Sequence, residues 1–404
     1  MRSRLSGLLD DLATEARRYG DPERAVATAR RREAVRRVAV PLAAAALVLA
    51  AIAPVVLGRD PGGSPVTPSS PSPNEPAVAG YPARVTLPDP AEPLPESPTG
   101  AAAFVYSPCA RTCDPYLVLP DGRQYGLVRH RLGPPTYGYT LSPDGVWLGR
   151  PSTATDGFTV RNLTTGRTLT IPDTGPGVTA AWAWAPSGRW LLLARHVDGT
   201  VDHYLLVDVV AGGGPRRLEP KGALAADTVM GVRDDGDLLV VLSGPDRPGL
   251  LPEYGIVDGR TAALIDRFAV TLPPGGGPLV REGERPIAMS LRFGPGGGAI
   301  LTIGGPSNEP DLPGRPTGYL SFAISEGQRG RVWARTDLPV SAGSSAEPGG
   351  VWDVMAYQIG AVMLVHWLPD RTEIVLQNDV DGRRIVATTL PTDSQLVLRG
   401  GARY

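Results

Sequence analysis

The chain has 404 residues, a formal net charge of −1 and a hydrophobic fraction of 42%. Its 50 Gly and 43 Pro make up about 23% of the residues, which excludes a large helical protein because both weaken helix interiors. The balanced charge excludes a general nucleic-acid binder, leaving a turn-rich β protein, a chain with a long Pro-rich segment, or both.

Residues 1–37 hold ten Arg and six acidic groups. Leu5, Leu8, Leu9 and Leu12 recur at i, i+3, i+4 and i+7, which predicts one apolar stripe on a short helix ending near Gly20. Asp21-Pro22-Glu23 then supplies a cap, a first-turn proline and an acid for a second helix. The leucine stripe is a candidate docking site for a cytoplasmic regulator. The plainer reading is a basic tail that rests on anionic lipid and sets topology.

Between Arg37 and Arg59 lie 21 residues without a charge. As a helix, 38–58 spans roughly 30 Å, the thickness of a bilayer hydrocarbon core. This predicts a single transmembrane helix in the lipid bilayer. A cleaved signal peptide is the alternative. Ala51-Ile52-Ala53 has the small-x-small form of a cleavage site, but Pro54 follows it. The basic flank puts the N-terminus in the cytoplasm and the C-terminal domain outside the cell membrane. Residues 59–99, with 12 prolines, read as an extended extracytoplasmic linker that does not fold.

Residues 100–404 read as a repeating β domain. One hairpin type recurs, a β run, a Gly turn and a second β run, with central glycines at Gly122, Gly166, Gly213, Gly259, Gly327 and Gly382. Before several of these comes a turn followed by an apolar strand: LSPDGVWLGR (141–150), WAPSGRWLLLAR (184–195), GVRDDGDLLVVL (231–242) and RFGPGGGAILTI (292–303). Turn, strand and hairpin make a unit of about four strands. Six units predict an all-β, six-bladed propeller, with seven blades as the alternative count and a two-sheet sandwich as the alternative fold.

The tetrads Ser142-Pro143-Asp144-Gly145 and Ala185-Pro186-Ser187-Gly188 resemble the Ser-Pro-Asp-Gly repeat of TolB-type and WD-repeat-like propellers. In that family the turn joins the innermost strand of a blade to the next, so the resemblance implies that place for these residues. The chain as a whole resembles single-pass membrane proteins of high-GC bacteria that carry a basic tail, one helix, a Pro-rich stalk and an outer propeller.

Cys109 and Cys113, outside a reducing cytoplasm, are expected to pair in a disulfide closing a tight loop. His196, Asp198, Asp202 and His203 flank one hairpin and form a candidate metal set, against an ordinary Asp-Gly turn with polar flanks. Asn378-Asp379-Val380-Asp381-Gly382 is similar to half of a calcium loop but lacks its distal Glu. No cofactor or metal is expected from these fragments. Trp182 and Trp184, two residues apart, are expected on one face of a strand, packing blade against blade.

Hydrolase elbows and zinc-protease motifs are absent from the sequence. The expected function is therefore a non-enzymatic, membrane-anchored extracytoplasmic module that binds or scaffolds a protein, peptide or cell-wall ligand. One alternative is a signal transducer laid out like a membrane anti-sigma factor, although no Cys precedes Cys109 and no His precedes His130 to supply that group's zinc pattern. A propeller-based lyase or glycan hydrolase is the other.

Overall fold

The computed structural model describes residues 78–398 apart from 79, 88–90, 110–111, 129–137, 153–156, 173–176, 226–227, 244–251, 272–279, 282, 287–291, 294–297, 306–315, 325–328, 339–350, 359–360, 379–381 and 392–393. The leucine stripe, the apolar span 38–58 and the linker to residue 77 lie outside the described residues. Among the described residues no helix is long and apolar enough to cross a membrane.

Six sheets arrange the described chain as a six-bladed propeller. Blade II is β5 (Thr140–Leu141), β6 (Trp147–Pro151), β7 (Phe158–Asn162) and β8 (Thr168–Ile171). Blade III is β9 (Val178–Trp184), β10 (Trp190–Val197), β11 (Thr200–Asp208) and β12 (Arg216–Leu218). Blade IV is β13 (Val229–Val232), β14 (Leu238–Ser243), β15 (Glu253–Val257) and β16 (Leu264–Ala269). In blade V, β17 (Arg285–Pro286) and β18 (Arg292–Phe293) both pair with β19 (Gly298–Gly304), followed by β20 (Pro316–Ala323) and β21 (Val332–Asp337). Blade VI is β22 (Val351–Gln358), β23 (Ala361–Trp367), β24 (Arg371–Asn378) and β25 (Arg384–Pro391).

Blade I is built from both ends of the domain. β2 (Phe104–Ser107), β3 (Tyr116–Val118) and β4 (Gln124–Gly126) are flanked by β26 (Gln395–Leu398) inside and β1 (Glu92–Pro93) outside. Phe104 pairs with Leu398 and Ser107 with Gln395, antiparallel. That pairing closes the ring and removes an open sheet edge.

The strand composition follows from the ring. A strand in the middle of a blade is covered on both faces, so it reads as a continuous apolar run rather than an alternation. In β10, Leu192 and Ala194 enter the core shared with blade IV, while Leu191 and Leu193 enter the core shared with blade II. Each pair of neighbouring blades shares such a buried cluster, from blades I and II round to blades VI and I.

All six predicted hairpins join the third and fourth strands of a blade counted outward from the axis. Their turn chemistry differs from the reading based on central glycines. Asn162, Asp208, Asp258 and Asn378 each accept, at the main-chain carbonyl, the amide four residues on, at 2.9, 2.9, 2.9 and 3.1 Å. The residues at that fourth position, Gly166, Gly212, Ala262 and Gly382, hold φ of 77°, 69°, 60° and 70°. Thus Gly212, not Gly213, takes the left-handed position in blade III, and in blade IV an alanine does. Gly259 is required for another reason: a Cβ there would stand 2.0 Å from the Gly236 carbonyl oxygen. Gly327 lies outside the described residues.

Trp182 and Trp184 do not share a face. The β9–β10 register slips between Leu192, opposite Ala183, and Leu193, opposite Ala181, leaving Trp182 as the extra residue of a β-bulge. The bulge breaks the two-residue period. Trp184 turns towards blade II and donates its Nε1–H to Thr140 Oγ1 at 2.8 Å, while Trp182 turns towards blade IV and donates to the Val229 carbonyl at 2.8 Å. Similar register slips occur in β13, between Val229 and Gly231, and in β22, between Val354 and Ala356.

Part of the Pro-rich segment that the sequence predicts as unfolded packs against the propeller. The described residues between 78 and 99 run across the closing blade instead of standing free. Tyr81 and Val85 are buried in the core between blades VI and I. Val85 N–H donates to the Thr389 carbonyl at 3.0 Å, Thr388 Oγ1 donates to the Pro82 carbonyl, and Gln124 Nε2 donates to the Thr86 carbonyl at 2.6 Å. β1 then adds a parallel strand to β4. Further on, Thr99 N–H donates to the Leu163 carbonyl at 2.8 Å. The segment therefore stitches blades VI, I and II together. Prolines do not prevent this, because an edge segment needs few of its own amide donors, and Tyr81 and Val85 supply apolar surface that the composition average hides.

Candidate binding site at the closure seam

The Pro-Asp-Gly tetrads are structural. Ser142–Gly145 joins β5 to β6, with the Gly145 amide donating to the Ser142 carbonyl at 2.8 Å. Asp144 Oδ1 accepts from Ser142 Oγ at 2.5 Å and from the Val146 amide at 3.0 Å. Ala185–Gly188 joins β9 to β10, and its Ser187 amide donates to Asp234 Oδ1 of the next blade at 2.7 Å. Pro143 and Pro186 sit at the second turn position, where their fixed φ suits the turn. These residues link neighbouring blades.

Cys109 and Cys113 are joined in a disulfide with Cα atoms 5.6 Å apart, in the loop between β2 and β3. Ser107 Oγ donates to the Cys109 carbonyl at 3.0 Å and buttresses the loop. His203 is buried and its Nδ1 lies 2.7 Å from Asp202 Oδ2, whereas His196 stacks obliquely on Trp182 at 6.1 Å. Among the described residues no group of three His, Cys, Asp or Glu side chains is placed to hold a metal ion. Of the calcium-like fragment, Asn378 and Gly382 form the hairpin turn, and 379–381 lie outside the described residues.

The site that the structure does assemble was not singled out from sequence. It is a cleft of 540 Å³ between blades I and II, roofed by the segment around Pro93, Leu94 and Glu96. Its origin is an alternation in blade II. In β7, Phe158 and Val160 face blade III and pack in that core, leaving Thr159 and Arg161 on the side of blade I. In β6, Leu148 and Arg150 point the same way. The register places Arg150 opposite Thr159 and Leu148 opposite Arg161, with Thr168 of β8 opposite Arg161 in turn. Part of this interface is apolar, with Leu148, Tyr125 and Leu127 packed together. The rest of it carries hydroxyls and two guanidinium groups instead. By contrast, β11 in blade III presents Tyr204 and Leu206 on one face and Leu205 and Val207 on the other. Between blades I and II a cleft remains, lined by these polar side chains.

Arg161 Nη2 donates to the carbonyls of Pro95 and Ser97, which fixes the roof to the wall. Burial works against the Arg161 charge, Glu96 supports it, and Arg150 opposes it, so its pKa lies below the ordinary value. Tyr139 donates its hydroxyl to the Val128 carbonyl at 2.6 Å. Burial pushes the phenol up against the opposing pull of Arg150, so it stays neutral. The cleft thus offers two fixed positive charges, one carboxylate and two threonine hydroxyls over an apolar floor. The sequence signal for it was one Arg in each of two adjacent strands, Arg150 in WLGRP and Arg161 in FTVRN.

A second charged cluster is closed. Arg335 in β21 donates bidentately to Glu284, at 2.7 and 2.8 Å. Thr317 Oγ1 and the Arg281 amide complete the carboxylate's partners. The Arg335 hydrogen bonds hold the Glu284 carboxyl down at about 2, against the cost of its burial. Every oxygen is used, so this pair is a brace.

No protein-family model matches the chain, and no curated protein resembles it in sequence. Among solved structures it is similar to TolB from Acinetobacter baumannii (14% identity, TM-score 0.42), covering 74% of this chain and 66% of that one. It is also similar to a putative TolB from Agrobacterium tumefaciens (13%, TM-score 0.38; 74% and 99% covered) and to the dihydro-heme d1 dehydrogenase NirN (15%, TM-score 0.32; 82% and 82% covered). The chain spans 66% of the length of the Acinetobacter protein. The six-blade assignment rests on the strand pairings of this chain itself.

Proposed function

We propose that this protein is a non-enzymatic binding module, a β-propeller anchored by residues 38–58 in the cell membrane with its N-terminus in the cytoplasm and its blades outside. The observation that carries the binding reading is the pair Arg150 and Arg161, held on one face of a rigid sheet at the mouth of a cleft. Guanidinium groups keep their charge at any working pH, so they hold an anionic group well and exchange protons poorly. The uncharged 21-residue span and its basic flank support the anchor and its direction. The stripe Leu5, Leu8, Leu9 and Leu12 belongs to this reading as the cytoplasmic contact.

The test uses the full chain in nanodiscs, incubated with fractionated cell-envelope protein, peptide and glycan. A component retained by the wild type and released by Arg150→Gln is the expected result. Equal retention by both, or retention from no fraction, refutes the binding reading. Protease accessibility in intact cells checks topology: cleavage of blade loops from outside is expected, and protection of them would reverse the orientation.

A further inference from the structure

We propose that the cleft between blades I and II takes a small organic monoanion, a carboxylate carried on an apolar stem. This rests on reading the protein as a binding module and names the ligand class of that site.

Three features select this chemistry. The first is charge. Arg150 and Arg161 are diagonal neighbours on adjacent strands, and Glu96 is the carboxylate on the roof. One net positive charge remains for a ligand to answer. Arg161 spends Nη2 on two main-chain carbonyls, and Arg150, which is exposed, donates to the Tyr139 hydroxyl and has further N–H groups for an incoming anion. A carboxylate there receives charge-assisted hydrogen bonds and relieves the mutual repulsion of the two arginines.

The second feature is the lining. The hydroxyls of Thr159 and Thr168 lie on the same face as the arginines, and Leu94, Leu127 and Leu148 form the apolar part. A ligand that is charged at one end and apolar at the other satisfies both. An inorganic anion leaves the leucines facing water. The third is size. A cleft of 540 Å³ falls within the span of small-molecule sites and is too small for a folded partner.

Glu96 discriminates further. A phosphate monoester carries nearly two negative charges at neutral pH, and the second charge meets the Glu96 carboxylate without a matching cation. The cleft therefore prefers a carboxylate to a phosphate on the same stem.

The experiment titrates the full chain in nanodiscs by calorimetry with N-acetyl-phenylalanine, its neutral primary amide, and phenyl phosphate. The acid is expected to bind about 10-fold or more tightly than the amide, the value of one charge-assisted hydrogen bond, and more tightly than phenyl phosphate. Arg150→Gln is expected to remove that preference. Arg371→Gln, a half-buried position on blade VI far from the cleft lining, is expected to preserve it. Thr159→Val, a second variant that leaves the charges in place, is expected to weaken the acid alone. Acid and amide binding alike, no binding of the acid, or an unchanged preference in Arg150→Gln overturns the proposal. Tighter binding of phenyl phosphate overturns the monoanion assignment. Envelope retention that depends on Arg150 while the acid fails to bind refutes the ligand class and leaves the module reading standing. Absence of both refutes the two together.

Discussion

Tyr81 is the residue on which the seam is expected to turn. Its side chain is 2% exposed, stacks at 6.4 Å on Phe104 of blade I, and reaches Met363 Sδ of blade VI with its hydroxyl at 3.8 Å. Truncating a buried aromatic ring to alanine typically costs about 3–5 kcal/mol, from lost transfer free energy and the cavity left behind. With an unfolding entropy of roughly 2.1 cal/mol/K per residue across Ser72–Tyr404, about 4 kcal/mol corresponds to a fall in Tm of about 6 °C. Leu87→Ala is the matched control, because Leu87 belongs to the same segment and is 55% exposed. Its expected effect is below about 0.5 kcal/mol. Thermal unfolding of the full-length variants, with hydrogen exchange resolved by strand, is the assay. Protection should fall in β2, β25 and β26, which flank the ring, and hold in β10 and β11 across the molecule. If Tyr81→Ala melts within about 1 °C of Leu87→Ala, residues 78–99 are an ornament on a ring that closes without them.

Three further outcomes follow from single sites. Glu284 has its carboxyl held at about 2, below its ordinary 4.5, by Arg335. A depressed acid stabilises the fold above its unfolded value, so this contribution of about 3 kcal/mol is present at neutral pH and is lost as pH falls from about 4.5 towards 2. Urea titrations of wild type and Glu284→Gln at pH 7 and pH 2.5 should show the gap closing with acidity. A constant gap excludes the ion pair as its cause. Ala262→Gly should raise stability by up to about 1 kcal/mol, because it removes a Cβ from a left-handed position, whereas Gly259→Ala in the same turn should lower it; denaturant midpoints that move the other way refute the turn assignment. Trp182→Phe should cost about 1 kcal/mol or more by leaving the Val229 carbonyl without its indole donor, read as a shift in denaturant midpoint absent from Trp190→Phe.

The repeat was legible because each blade is written locally. A turn such as Ser142-Pro143-Asp144-Gly145 is specified by its own four residues, and a strand such as WLLLAR announces two buried faces by having no polar alternation. Those features need no knowledge of distant chain. The hairpin glycines were half right for the same reason: a Gly is visible, but the Asx four residues before it is what sets the turn, and Ala262 shows that the left-handed residue need not be Gly. Trp182 was misplaced because a bulge arises between two strands and cannot be counted along one.

What the tertiary structure alone decided lies at the seam. Tyr81 meets Met363 across 282 positions, and β26 completes a blade begun at Phe104. Neither contact leaves a period or a turn signal, so a Pro-rich stretch reads as unfolded until its tyrosine is seen buried. The cleft shares that origin. Arg150 and Arg161 look like ordinary surface residues in the sequence. They become a site only because ring closure sets the polar part of blade II against the segment that holds Glu96. Local chemistry determined the blades, and long-range pairing determined where the ring closes and what the closure leaves open.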